Sequence, residues 1–242
     1  MPHGGPDWGT GGEISTVHTI EDLGELAARL GSINTHDRRG NVIWMDDFES
    51  SLNKWDVSMT AGSAARGAGV SITNEYARNG AFSAKLLTGD VQWDEISIDH
   101  IMAYTTISKI GFEFSIRREA GLPPLYIFFG GYDGLHTFQS ALYWKLGDLS
   151  YLGADNAYHA LDLYHYWVAY FFFTIKLVID LKTAKYVRLI INNVSYDLSA
   201  RSFYWVDTPH TPALIPMVKI LTPGVYNCPA YIDDIIITQN EP

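Results

Sequence analysis

Aromatic side chains are the residues of this sequence best equipped to act on another molecule. Trp, Tyr and Phe make up 14% of the chain. They fall in runs: Tyr143-Trp144, Tyr204-Trp205, and a block from Tyr158 through Tyr164, Tyr166, Trp167 and Tyr170 to Phe171–Phe173. A flat ring can lie on the apolar face of a sugar while polar tips and a neighbouring Asp or Asn take the hydroxyls. The same rings fill sandwich cores and dominate protein interfaces, so three uses compete for each position. Trp144 and Trp205, with Tyr143 and Tyr204 beside them, are the candidate exposed rings for a glycan. Other reactive types are thinly spread. The eight histidines are scattered, and His136, His159 and His165 lie among aromatics, where a packed or hydrogen-bonded neutral imidazole is the default. Cys228 is the single cysteine, which excludes an intramolecular disulfide and a Cys-rich zinc site and suits a small core residue. No nucleophile elbow, phosphate loop or His-x-x-x-His pair is present.

The elements that must position these rings are strands. In Thr174–Leu198, Ile175, Leu177, Ile179 and Leu181 recur at every second residue with Lys176 and Asp180 between them, the period of a strand with one face on a core. Val178 breaks the alternation. Lys182–Lys185 is a polar interruption of hairpin length, Tyr186–Ile191 a second apolar strand, and Asn192-Asn193 a tight turn into Val194–Leu198. Upstream, strands are expected at Val42–Phe48, Trp55–Val57, Val70–Ile72, Ser83–Leu87, Ile96–Ile101, Ile110–Ile116, Leu125–Phe129 and Ala141–Leu146, with turn signals such as Arg78-Asn79-Gly80 and Gly147-Asp148 between them. The apolar run Tyr164–Val178, interrupted by His165 and Lys176, is too short for a membrane helix and is expected as a buried strand. A second helix has room only around 155–164. Short strands at regular spacing predict an all-β, two-sheet antiparallel sandwich.

Length and charge bound the rest. At 242 residues, one large domain with a full core is favoured. The net charge of −10 argues against nucleic acid as partner, because phosphate binding is driven by Lys and Arg. Residues 1–18 read as a Gly-rich arm with Trp8 as its anchor, on the body of the chain or on a neighbouring subunit. Residues 19–40 follow as a helix and connector. Thr19 caps it, Ile20, Leu23, Ala27 and Leu30 form its apolar stripe, and Gly31 stops it. Too short to stand alone, this helix must dock, so Trp8, Ile20, Leu23 and Leu30 are expected assembly contacts. The sandwich then spans 41–242. The N-terminus MPHGGPDWG has no basic segment followed by an apolar one, so synthesis in the cytoplasm without a signal peptide is expected.

Four segments together carry a resemblance. Phe48-Glu49 followed by Leu52 and Trp55, then Asn79–Leu86, the Thr174–Leu198 meander, and Tyr231–Ile235 resemble the skeleton of concanavalin A-like and carbohydrate-binding-module jelly rolls. The likeness covers residues from about 42 to 240. It implies two sheets packed face to face with the first and last strands as neighbours. It also implies a structural calcium held by Glu49 and Asp233 or Asp234, with Asp46 or Asp47 nearby and backbone carbonyls of the Asn-Gly loop. The alternative is that Asp233 and Asp234 bond the N-terminal loop or Arg38 without an ion. Trp93–Asp99 resembles the strand on which laminarinase-type glycoside hydrolases place nucleophile and acid. However, Ser97 stands where an Asp belongs, and the shorter Asp99 where a Glu belongs. Residues 1–50 resemble what precedes such sandwiches in uncharacterised structural proteins of bacteriophage particles.

The expected function is therefore that of a non-enzymatic structural protein, a virion surface or capsid decoration component. Its partners would be further copies of itself and a shell protein. The alternatives are a carbohydrate-binding module reading surface glycans and, third, a hydrolase.

Overall fold

The computed structural model describes residues 39–105, 108–119, 121–164, 168–224 and 226–242. The expected arm and docking helix, and with them Trp8, Ile20, Leu23 and Leu30, lie outside the described residues. In chain order the described strands are β1 (Asn41–Asp46), β2 (Asp56–Met59), β3 (Gly69–Thr73), β4 (Ser83–Leu87), β5 (Glu95–Asp99) and β6 (Met102–Ala103). Next come β7 (Lys109–Arg118), β8 (Leu125–Tyr132), β9 (His136–Lys145), β10 (Asp148–Leu152), β11 (Tyr158–Tyr164) and β12 (Phe172–Asp180). The last are β13 (Lys185–Ile191), β14 (Val194–Asp197), β15 (Tyr204–Asp207), β16 (Ala213–Leu221) and β17 (Pro229–Gln239). A single 3-10 turn at Ala64–Arg66 is the one helical element among the described residues.

These strands form two antiparallel sheets. The eight-stranded sheet runs β14-β13-β12-β7-β17-β4-β3, with β1 added to β17. The nine-stranded sheet runs β11-β10-β9-β8-β16-β5-β2, with β15 on β9 and β6 on β16. Period-2 alternation sends one side of each strand into a shared core. Phe112, Phe114 and Ile116 of β7 are fully buried, and Phe112 meets Phe129 of β8 across the two sheets with ring centroids 5.6 Å apart. Tyr186 of β13 crosses the same gap. Its hydroxyl donates to Leu152 O at 2.9 Å and accepts from Ala141 N at 2.9 Å, so a polar atom in the core is satisfied rather than stranded. The first and last strands pair from Asn41↔Gln239 to Asp46↔Ile235. The jelly-roll sandwich and the neighbouring termini of its strands are as expected.

One open segment is settled and one local expectation is corrected. Residues 158–164, in the stretch with room for a second helix, are strand β11. Leu161 is buried and Ser150↔Ala160, Tyr151↔His159 and Leu152↔Tyr158 pair across to β10, so tertiary pairing sets the conformation. The run Tyr164–Val178 is not one strand. The chain turns at Ala169-Tyr170, with Tyr170 at φ 73, before β12 begins at Phe172. Val178, which broke the alternation, lies on the side of β12 away from the shared core and is nevertheless fully buried.

Candidate functional site

Parity decides which rings can meet a ligand. Adjacent residues of a strand face opposite sides, so Tyr143 and Trp144 cannot both be exposed. On β9, Phe138, Leu142 and Trp144 point into the core, and Trp144 is 1% exposed, stacked near the buried Arg118 with Cζ 5.7 Å from its ring. The expectation that Trp144 offers an exposed ring is therefore corrected. Trp205 pairs with the inward Phe138, stacks on it at 5.6 Å and is partly buried against the core. Tyr143 and Tyr204 have the outward parity, Tyr204 lying opposite Gln139.

Cross-strand register assembles an outward row on the nine-stranded sheet. Ser58 of β2 faces Ser97 of β5, Ser97 faces Lys219 of β16, and Lys219 faces Tyr126 of β8. Tyr126 then faces Tyr143 of β9, and Tyr143 faces Ser150 of β10. Tyr158, from the neighbouring β11, completes a triad. Ring centroids lie 4.4 Å apart for Tyr126–Tyr143, 5.9 Å for Tyr126–Tyr158 and 6.0 Å for Tyr143–Tyr158. The first pair is near-stacked, with planes 31° apart; these two rings therefore cover each other's faces, and Tyr158 meets both edge-on. Tyr158 is 45% exposed.

Burial pushes all three phenols up, Tyr158 to about 12, and the neighbouring phenols add to the shift at Tyr126 and Tyr158. They stay protonated and can donate hydrogen bonds at any physiological pH. Lys219 Nζ sits 5.6 Å over the Tyr126 ring and 2.8 Å from Glu95 Oε2. Just before β5, Trp93, 47% exposed and at φ 70, receives Lys145 Nζ of β9 5.2 Å over its ring. The left-handed backbone at Trp93 belongs to the turn closed by Asp94 N–H on Val91 O at 3.0 Å, with Trp93 N–H on Thr222 O at 3.0 Å, and this turn presents the indole to solvent. The surface is a comb of neutral phenols with one indole and one ion pair, suited to a polyhydroxylated chain.

Tyr126, Tyr158 and Trp93 were not singled out as ligand-binding from the sequence. The alternation Leu125, Ile127, Phe129 already turned Tyr126 outward, but its proximity to Tyr158 depends on a pairing that spacing does not encode. Glu95, Ser97 and Asp99 all share the outward side of β5. Glu95 is held by Lys219, and Asp99 lies opposite Asp56 of β2, where burial and then the Asp56 charge push its carboxyl up.

Glu49, Asp233 and Asp234, singled out for a metal, all bond one loop, Arg78–Phe82. Glu49 Oε1 accepts from Ala81 N and Phe82 N, both at 2.8 Å. Asp233 Oδ2 accepts from Arg78 N at 2.6 Å and Asn79 N at 3.3 Å, and Asp234 Oδ2 accepts from Asn79 Nδ2 at 2.8 Å. A β-bulge between Asp233 and Ile236, with Asp234 at φ 51, aims both carboxyls at the Arg78–Phe82 loop. Gly80, at φ 64, lies so close to Glu49 that a Cβ there would sit 2.3 Å from its Oε1. Burial raises Asp233 to about 6 and Asp234 to about 8; Glu49 adds to the first shift, Asp233 and Asp47 to the second. Crowded hard oxygens are calcium's preferred donors. Among the described residues, however, no three acidic, imidazole or thiol side chains converge as a ligand set, so an ion here would draw on loop carbonyls too. Asp46 is engaged elsewhere, taking Trp55 Nε1 and Lys54 Nζ at 2.7 Å each.

No family model matches the chain. No curated protein matches it in sequence. Solved structures match in shape. The cellulose-induced protein Cip1 superposes with a TM-score of 0.57 at 16% identity, over 81% of this chain and 96% of that one. An endo-beta-1,4-glucuronan lyase from the fungus Trichoderma reesei gives 0.57 at 11% identity, over 83% and 96%. A conserved carbohydrate esterase from the Shiga toxin-encoding bacteriophage phi24B gives 0.55 at 13% identity, over 84% and 100%. The fold is a two-sheet antiparallel jelly-roll sandwich. At these identities the likeness is one of fold, and the jelly roll's chemistry has to be argued from its own side chains.

Proposed function

We propose that this jelly roll is a non-catalytic carbohydrate-binding protein that holds a glycan along the outward face of the nine-stranded sheet. The observation that carries the reading is the triad of Tyr126, Tyr143 and Tyr158, protonated and partly exposed, with Trp93 reached through Lys145, two residues along β9 from Tyr143. Near-stacked phenols present edges and hydroxyls rather than broad faces, so binding rests on hydrogen bonds from the phenols, with Trp93 as the one broad apolar surface. The likeness in fold to a cellulose-induced protein, a glucuronan lyase and a carbohydrate esterase supports the same class of ligand.

Titration calorimetry of the whole chain against soluble polysaccharides tests this. The expected result is binding to at least one of them, weakened about tenfold or more in Tyr126→Ala/Tyr158→Ala. Silence across the panel, or full affinity in the double variant, would overturn it.

Two further assignments accompany this reading. The first is display on an assembled particle, tied to copies of itself and to a shell protein. Support comes from the chain's acidity and from the likeness to a bacteriophage protein. The second is a structural calcium shared by Glu49, Asp234 and carbonyls of the Arg78–Phe82 loop, where it would tie the end of β1 to the bulge of β17.

A further inference from the structure

The opposite side of the sandwich carries a second cleft. On the outward face of the eight-stranded sheet another register row runs Ser71–Lys85–Tyr231–Arg117–Phe172. Loops from both ends of these strands fold over the row and wall a cleft with Glu75, Tyr76, Glu119, Tyr170, Tyr226 and Asn227. Tyr170 and Tyr226 are each 50% exposed. Their positions are set by the backbone. Tyr170 is held at φ 73 with its N–H on Arg118 O at 3.0 Å. Gly121, at φ 93, leaves room for Tyr226, whose hydroxyl would lie 2.9 Å from a Cβ at that glycine.

The polar groups of the cleft are neutralised in pairs. Glu75 takes Lys85 Nζ at 2.8 Å and the Tyr231 hydroxyl at 2.6 Å. Glu119 takes Arg117 Nε at 2.7 Å, and the Arg117 guanidinium lies 3.5 Å from the Tyr76 ring centroid. Asn227 spends its amide nitrogen on Thr88 O at 2.6 Å and Arg66 O at 3.0 Å, which leaves its carbonyl oxygen as an acceptor. Each carboxylate is thus matched by a cation and the Tyr76 face is taken by Arg117, so the cleft offers no ion of either sign an uncompensated partner and no organic cation that ring. What remains suited is a neutral molecule with an apolar face and many hydroxyls.

We propose that this cleft is a second carbohydrate subsite, taking one pyranose ring of a neutral glycan against Tyr170 or Tyr226, with Glu119 and Asn227 accepting from its hydroxyls. It lies on the other sheet from the Tyr126 triad and stands or falls separately from it. With both sites working, one molecule would bridge two glycan segments.

The test is a titration of the isotope-labelled whole chain with cellopentaose, xylopentaose and mannopentaose, followed by amide chemical shifts, with choline chloride and a glucuronate oligomer as separate arms. Weak single-ring binding calls for ligand at ~10 mM. The expected result is saturable shifts at Gly121, Tyr170, Tyr226 and Asn227 with a neutral oligosaccharide. These shifts should be lost in Tyr170→Ala/Tyr226→Ala and kept in Tyr126→Ala/Tyr158→Ala. Silence at these amides with all three neutral sugars would overturn the proposal. So would shifts that ignore the Tyr170/Tyr226 variant, or shifts seen only with choline or glucuronate. Well-dispersed spectra of both variants report on their folding in the same experiment.

Discussion

Asp234 shows how a single residue's titration becomes a property of the fold. Its carboxyl and that of Asp233 are both buried and rise from 3.8 to about 8 and about 6. The folded state therefore binds more protons than the unfolded state between about pH 4 and 8. Stability from this pair is fully present below the unfolded value and is lost as pH rises through the folded ones. Without added metal, the unfolding temperature should fall as pH is taken from 5 to 8 in scanning calorimetry. Asp234→Asn, which keeps the Asn79 contact without the charge, should flatten that slope. Millimolar calcium should restore stability at pH 8 in the parent protein and not in Asp234→Asn. A parent profile that rises toward pH 8 in metal-free buffer would contradict the titration argument, and a calcium-blind profile would remove the ion from this site. At this scale parity separates the rings: Phe138, Leu142 and Trp144 share the buried side of β9, which hands the opposite side to Tyr143.

At the scale of elements, the outward side of the eight-stranded sheet is knitted by one buried carboxylate. Glu241 Oε1 takes Lys176 Nζ of β12 at 2.8 Å and the Thr238 hydroxyl of β17 at 2.6 Å, while its other oxygen pairs with Arg188 of β13. Three strands thus share a single acid. Glu241→Ala should cost about 3 kcal/mol in urea unfolding, because two cations in a dry environment lose their common carboxylate, while Lys176 keeps Glu113 at 3.8 Å and Arg188 keeps Pro242 O at 2.8 Å. A loss below about 1 kcal/mol would show that these partners and solvent already compensate them. None of this was readable in sequence, since Lys176 and Glu241 are joined only by the sheet order. What alternation carried, it carried well: Ser83–Leu87 has the expected bounds, and Phe112, Phe114 and Ile116 face inward as their spacing required. It failed where aromatic density hid the period, at Tyr158–Tyr164 and at the turn before Phe172. It was silent on pairing, which is what sets Tyr126 beside Tyr143 and Tyr158. Glu49, Asp233 and Asp234 were legible as acids near the Asn-Gly turn, and all three bond that loop. The loop amides that occupy two of those carboxylates were not legible.

For the whole molecule, affinity is a matter of how many clefts act together. A single shallow face of phenols binds weakly, and proteins with such sites gain strength by presenting several copies at once, so that each later contact is intramolecular. A chain with a net charge of −10 resists unspecific self-association, and any assembly must come from a dedicated contact. Trp8 and the apolar residues Ile20, Leu23 and Leu30 are the sequence's candidates for that contact. Light scattering on the full chain and on a version lacking residues 1–18 decides the matter. The expected outcome is a defined oligomer for the full chain and a folded monomer for the shortened one, with affinity for immobilised glycan falling by more than the loss of any one site while affinity for a short soluble oligosaccharide stays the same. Two monomers of unchanged glycan avidity would remove the assembly reading and leave the jelly roll as a solitary binding module. A shortened chain that still assembles would move the contact off the arm.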